Sequence, residues 1–407
     1  MNGLTQYFAN VKKKFKVKNF IPYFVFLAAI LLMIILQAAG TLKKSDQQLL
    51  EQIGYFVIAA MSLSLVVGFL GELSIGHAAF MSIGAFVGVW VRNAWLGGLN
   101  KAAQKSAQFP SLLVAVLAGG LVAAVAGFII GLPALRLKGD YLAIVTLAFG
   151  EIVKTVLKNV LSGGESVGEL KSTEGRYPVG GLFIIVFIFA LLALVVINNL
   201  IRSKHGRAIM AVRDNEIAAR AMGVNVTYYK LSVFVISAFF AGVAGVFFGM
   251  TQYSVNPANF DYNKSIDLLV MVVLGGMGNI NGSIIAAVVI TVLNTKLGVA
   301  LTGNLAALKN LIYALVLILI VVYNNAPKLK TVREKYNFKR LTNFLYIKLH
   351  NLFTRKKYQH DPAKEQEFGA DWSVVPTKVE MDAILSTDFT PDNSFTPDKP
   401  DKPKGDK

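Results

Sequence analysis

Apolar residues in this chain gather into long blocks, many of them near the ~20 residues that carry an α-helix across a bilayer. We place such blocks at 20–39, 53–70, 76–96, 111–132, 141–160, 179–199, 229–252, 266–280, 283–298 and 308–325. Glycines with polar neighbours break the pattern near 71–76 and again near 275–282. This predicts an all-α polytopic membrane protein of about ten transmembrane helices, some of them glycine-broken. One region departs from it. Gly206 to Gly223 is charged and helix-prone, yet lies between two blocks that each look able to cross a membrane. Lipid cannot surround so many charges cheaply, so this loop (200–228) must lie in water on one face.

Composition agrees with the membrane reading. The 407 residues are 54% hydrophobic and 16% charged, against about 25% charged in a soluble domain. The formal net charge of +17 would suit nucleic acid, anionic lipid or membrane topology. Here the basic residues flank apolar blocks and interleave with no aromatic-rich soluble domain, so nucleic-acid binding is not expected. The absence of cysteine excludes disulfides and thiolate sites. Five lysines between Lys12 and Lys18 precede the first block in the manner of a secretory signal. A signal's apolar core is only about 7–15 residues and a soluble domain follows it; more apolar blocks follow here, so the first helix is expected to be retained.

Lysine and arginine in short loops prefer the cytoplasm. Basic clusters occupy the N-terminal segment 1–19, Arg136 with Lys138, the loop with Arg202, Lys204, Arg207, Arg213 and Arg220, and the stretch 326–360. Ten crossings over 20–325, starting inside, put all four clusters inside; nine or eleven do not. Lys43, Lys44, Lys101, Lys105, Lys171 and Arg176 then fall outside as exceptions, with the acidic loop 161–178. The segment 326–360 mixes cations with aromatics and is expected to lie on anionic headgroups. The tail 361–407 holds eleven acids, six lysines and six prolines, a composition expected to stay disordered.

In the water-exposed loop, Asp214 is a plausible helix N-cap and Gly223 a left-handed C′ residue. Glu216 and Arg220 stand at i,i+4 in the favourable order, and Ile217, Ala221 and Met222 form a small apolar face. Two turns are marginal alone in water, so this helix should pack on something: its own chain, or a soluble partner. Arg213 lies just before it. At the breaks, Gly71, Glu72, Ser74, Gly76 and His77, and then Gly275, Gly276, Gly278 and Asn279, put backbone and polar groups at membrane depth. That is tolerated where they are buried in protein or line a wet cavity; the alternative is close helix packing at the glycines. Gly275-Gly-Met-Gly lacks the Lys-Ser/Thr of a phosphate loop, so no ATP site is expected in this chain. Glu151 and Lys154 sit mid-block and can pair at i,i+3, and Tyr141 and Thr146 share their helix. His77 lacks spaced partners for a metal.

Several blocks resemble the LivM-type permease of branched-chain amino-acid ABC importers. They are Gly71-Glu-Leu-Ser-Ile-Gly-His-Ala-Ala-Phe, then Leu135-Arg-Leu-Lys-Gly-Asp-Tyr-Leu-Ala-Ile-Val-Thr-Leu-Ala-Phe-Gly-Glu, then Ala211-Val-Arg-Asp-Asn-Glu-Ile-Ala-Ala with Ala221-Met-Gly-Val-Asn, then Val273-Leu-Gly-Gly-Met-Gly-Asn-Ile-Asn-Gly. They keep the family's order over roughly 55–325. The resemblance implies a permease rather than an enzyme, in a bacterial cytoplasmic membrane with both termini inside. Its implied partners are a homologous second permease, two ATPase subunits holding ATP-Mg, an extracellular solute-binding protein and membrane lipids. With it, ATPase coupling is expected at Arg213, Asp214, Glu216, Ile217, Arg220, Met222 and Gly223; the break residues, with Tyr141, Thr146 and Glu151, are the candidates for lining the translocation path. Family members often carry Gln where this chain has Glu72. The acidic insert at 162–178 and the C-terminal extension also depart from it. Relatives handling amides, sugars or nucleosides, an ion-coupled secondary transporter and a passive channel are the competing functions.

Overall fold

A computed structural model describes residues 21–40, 43–97, 101–137, 139–162, 170–171 and 181–300, with Leu315 and Ile318. The tenth expected block apart from Leu315 and Ile318, the two termini, most of the acidic loop and the segments 326–360 and 361–407 lie outside these residues. Helices occupy the other nine blocks. They are α1 (Ile21–Ala38), α2 (Lys44–Ser64), α3 (His77–Leu96), α4 (Lys101–Ala134), α5 (Asp140–Ser162), α6 (Leu182–Arg202), α9 (Val226–Thr251), α10 (Tyr262–Gly275) and α11 (Ile280–Ala300). Two short helices fill the charged loop, α7 (Lys204–Asp214) and α8 (Glu216–Ala221).

By length and composition, six helices can cross a membrane: α2 with its π-helical extension Leu65–Leu70, α3, α4, α6, α9 and α11. The count of about ten is therefore not reached among the described residues. In α1, the apolar stretch Phe26–Gln37 is shorter than a span. α5 is long enough but carries Glu151, Lys154 and Lys158. α10 has 14 residues, only about 21 Å at 1.5 Å per residue.

The core is a bundle of α3, α4 and α9, with α2 buried against α9 and α11. Small residues permit it. A Cβ on Gly84 of α3 would lie 2.1 Å from the Gly242 carbonyl oxygen of α9, and one on Gly127 of α4 would lie 2.5 Å from the Ala238 Cβ. In lipid, where apolar area gains nothing by leaving one apolar medium for another, such backbone approach supplies the dispersion contact that holds helices together. Leu121, Val125, Ile129, Ile144, Ile152 and Val160 on α4 and α5 point outward instead, as lipid- or partner-facing positions should.

Side-chain caps start the later helices: Asn225 for α9 and Asp261 for α10. A two-stranded antiparallel ribbon, β1 (Leu170–Lys171) with β2 (Ser254–Val255), joins the loop after α5 to the loop after α9. Those two loops therefore share one side of the bundle.

Candidate functional site

The two glycine breaks and the charged loop meet at one place. α2 ends in the π-turn, and Gly71, at φ 79°, stops it in the left-handed region. Five more non-helical residues follow before α3. The Gly68 carbonyl accepts from Arg213 Nη1 at 3.1 Å, and the Arg213 Cγ stands 2.6 Å from where a Gly71 Cβ would be. Gly71 thus has two reasons to be glycine, its backbone conformation and the arginine stem. The second break touches the first: a Cβ on Gly68 would lie 2.6 Å from the Gly278 nitrogen.

Beside this junction, Lys230 of α9 donates to Glu72 Oε1 at 2.5 Å and to Glu216 Oε2 at 3.3 Å. Glu216 in turn accepts from Arg220 at 2.9 Å. The lysine is 5% exposed, so the two carboxylates are what make its burial tolerable. α8 therefore packs on its own chain through Glu216, while Ile217 and Met222 stand 79% and 84% exposed. The helix is capped by Asn215, whose Oδ1 accepts from the Ile217 and Ala218 amides, each at 3.0 Å. Asp214, expected as the cap, instead closes α7 and pairs with Arg213 at 2.9 Å. The physical reason is that Lys204–Asp214 is itself helical, begun by Ser203 and held by buried Ile209 and Val212. Gly223, at φ 80°, ends α8 in the left-handed conformation expected of it.

Behind the first break lies a polar core. α3 has no side-chain cap of its own. Its entering amides are satisfied by neighbours: Ile75 donates to Thr146 Oγ1 of α5, and Ala78 to Ser265 Oγ of α10, each at 3.1 Å. Ser62 Oγ donates to the Ser237 carbonyl at 2.9 Å, and Ser237 Oγ to the Ser62 carbonyl at 2.6 Å. Each hydroxyl has one proton, so both oxygens are left to accept from His77 Nε2, at 2.8 and 3.0 Å. Removing the Ser237 hydroxyl strips partners from Ser62 and His77 together; Ser237→Ala should cost about 1–3 kcal/mol. A fall in the thermal midpoint of the purified protein, with the Ser62→Ala/Ser237→Ala pair costing less than the sum, checks this.

The expected path residues divide accordingly. Glu72, Gly76, His77 and Thr146 gather at the first break, where a Gly76 Cβ would strike the Thr146 carbonyl oxygen at 2.4 Å. Ser74 is buried there, its hydroxyl without a partner among the described residues. Gly275 packs against Gly282 and Ser283, while Gly276 and Gly278 supply left-handed turns. Asn279 begins α11, its Oδ1 accepting from the Gly282 amide at 3.2 Å. Tyr141 and Glu151 are on α5: Tyr141 is exposed, and Glu151, half-exposed, pairs with Lys154 at 2.7 Å. Lys230 and Ser237 belong to the family-like text without an assigned role, and Ser62 and Ser265 are site residues that sequence reasoning did not single out. Among the described residues, no group of three side chains could hold a metal ion.

A family model described as the permease component of branched-chain amino acid transport systems matches residues 47–321. The high-affinity branched-chain amino acid permease protein LivM of Salmonella typhimurium is 36% identical over 267 residues, 58% of this chain and 60% of that protein. The probable LivM of Methanocaldococcus jannaschii is 25% identical over 308 residues, covering 66% of this chain and 89% of its own. The ribose import permease protein RbsC of Haemophilus influenzae is 28% identical over 211 residues, 50% of this chain and 65% of that one. The chain thus spans about 60% of the length of the Salmonella relative.

Proposed function

The chain belongs to the family of branched-chain amino acid transport system permease components, and from that premise we propose that it is one half of the translocation pore of an ATP-driven importer. Its counterpart is a homologous permease. Two ATPase subunits hold ATP-Mg on the cytoplasmic side, and a solute-binding protein delivers cargo from outside. The cargo is an aliphatic amino acid such as Leu, Ile or Val. In this reading the chain crosses a bacterial cytoplasmic membrane about ten times, with both termini inside, and catalyses no reaction itself.

One observation carries the reading. A short, well-capped helix presents two large apolar side chains, Ile217 and Met222, to water while its Glu216 is bonded to Lys230, the partner of Glu72 in the first break. Exposed apolar groups on an otherwise charged loop suit docking into a partner's groove. ATP-driven closure of the ATPases would pull α8, and α2, α3, α10 and α11 would rock about the joined breaks. On α5, the Glu151–Lys154 pair faces outward among apolar neighbours. Hydrocarbon is a poor surrounding for it, so this face suits the second permease or the path between the two. The ribose permease among the relatives supports a second cargo class, a small polar solute. The ligand bound tightly by the cognate solute-binding protein decides between them.

The native chain has no cysteine, so Met222→Cys gives a single chemical handle. Crosslinking in native membranes should capture a nucleotide-binding ATPase, in a yield that changes with ATP. An accessible cysteine that captures none, with the ATPase shown to be present, would sink the proposal.

A further inference from the structure

Lys230 stands in neither the charged loop nor a break, yet touches both. Its ammonium bridges Glu72, in the break, and Glu216, on α8. Arg213, at the end of α7, reaches the same break from the other side through the Gly68 carbonyl. The second break lies against Gly68 in turn. Displacing α8 therefore means either parting the lysine from a carboxylate or moving residue 72 with it. Parting them leaves charge poorly compensated in a nearly closed space, which is costly. Moving the break is the easier course, because Gly71, in the left-handed region, and Gly76 leave the backbone there free to change.

We propose that Lys230 is the positioning residue of the coupling step: an ionic clasp, seconded by Arg213, that makes the helix break at 71–76 follow the ATPase-facing helix. This rests on the importer reading above and adds to it the part that moves and the atoms that move it. Glu72 supplies the fixed end. Its pairing at 2.5 Å is closer than the 3.3 Å to Glu216, so the lysine belongs first to the break and reaches out to α8. Arg220, outermost in the network, balances Glu216 without touching the break.

The test is made on the assembled transporter in proteoliposomes, reading solute taken up per ATP hydrolysed. Lys230→Met keeps the length and apolar stem but removes the charge. It should lower that ratio about tenfold, while ATP hydrolysis and capture of the ATPase by Met222→Cys persist. Lys230→Arg, which keeps the cation, should return the ratio to within about threefold of wild type; a purely structural role for the side chain would not separate the two. Should the single variant leave the membrane because Glu72 is stranded, Glu72→Gln/Lys230→Met removes both charges and takes its place, with the same loss expected. A wild-type ratio in either variant, at normal abundance and with ATPase captured, overturns the clasp. Failure of capture in the Met222→Cys chain alone overturns instead the importer reading on which it stands.

Discussion

Gly245→Leu should remove most of the protein from the membrane, and any survivor should melt many degrees lower than wild type. A Cβ built on Gly245 of α9 lies 1.9 Å from the Met81 carbonyl oxygen of α3, where a carbon–oxygen contact needs about 3.3 Å. The obstacle is backbone, which cannot rotate aside, so the helices must separate. Separation is felt widely: Gly84 faces Gly242 across the same crossing, and Gly249 lies against Val89 and Ala85. Overpacking ordinarily costs about 1–3 kcal/mol, and this position belongs at or above the top of that range because a whole helix pair is displaced. Gly150 is the control. A Cβ there meets nothing within 4 Å, so Gly150→Ala in mid-helix should be neutral or stabilising by up to about 1 kcal/mol. Membrane abundance and the thermal midpoint of detergent-purified protein read both variants. Equal abundance of Gly245→Leu and wild type would mean that α3 and α9 do not cross here.

These glycine contacts show what a single sequence conveys and what it withholds. Apolar blocks and their glycine interruptions were legible, because length and polarity alone decide whether a segment can sit in lipid. So were the ion pairs internal to one helix, Glu151–Lys154 and Glu216–Arg220, since the helical repeat fixes their proximity. Which glycine meets which carbonyl was not, since that depends on the crossing of distant helices. The same limit hid the role of Lys230. A lone lysine opening an apolar block reads as an ordinary flanking charge, and its partner Glu72 is 158 residues away. Ser62 and Ser237, 175 apart, were hidden likewise. The stretch from Gly206 reads as helix-prone, but that Lys204–Asp214 forms a separate helix depends on the burial of Gly206, Ile209 and Val212 on neighbouring helices. With that helix in place Asp214 can no longer serve as a cap, and Asn215 takes the role. Both residue types cap well, so local sequence could not have chosen between them. The first turns of α2 and α4, from Lys44 and Lys101, are polar, so the apolar pattern alone understates the extent of both helices.

Glu216 and Arg220 look like equal halves of one helical pair, but reversing their charges should have unequal consequences. Glu216→Lys should lower uptake at least tenfold; Arg220→Glu should stay within about threefold of wild type. Arg220 is 67% exposed at its side chain, and an exposed ion pair is worth only about 0–1 kcal/mol. Its loss leaves Glu216 still paired with Lys230. Glu216→Lys does more than delete a pair. It brings a third cation beside Lys230 and Arg220, with Lys230 only 5% exposed, and like charges in so sheltered a place repel strongly. The lysine is driven toward Glu72 alone, and α8 loses its ionic link through Lys230 to the break while Asn215 still caps it. Uptake of labelled amino acid into vesicles, normalised to the amount of protein in the membrane, reads the difference. Added salt should restore little of the Glu216→Lys loss, because the repulsion lies in a part-buried network that counterions screen poorly. Equal losses from the two reversals would show that the pair acts only as a surface feature of α8. The path from the loop into the membrane would then have to run through Arg213 and the Gly68 carbonyl without Lys230.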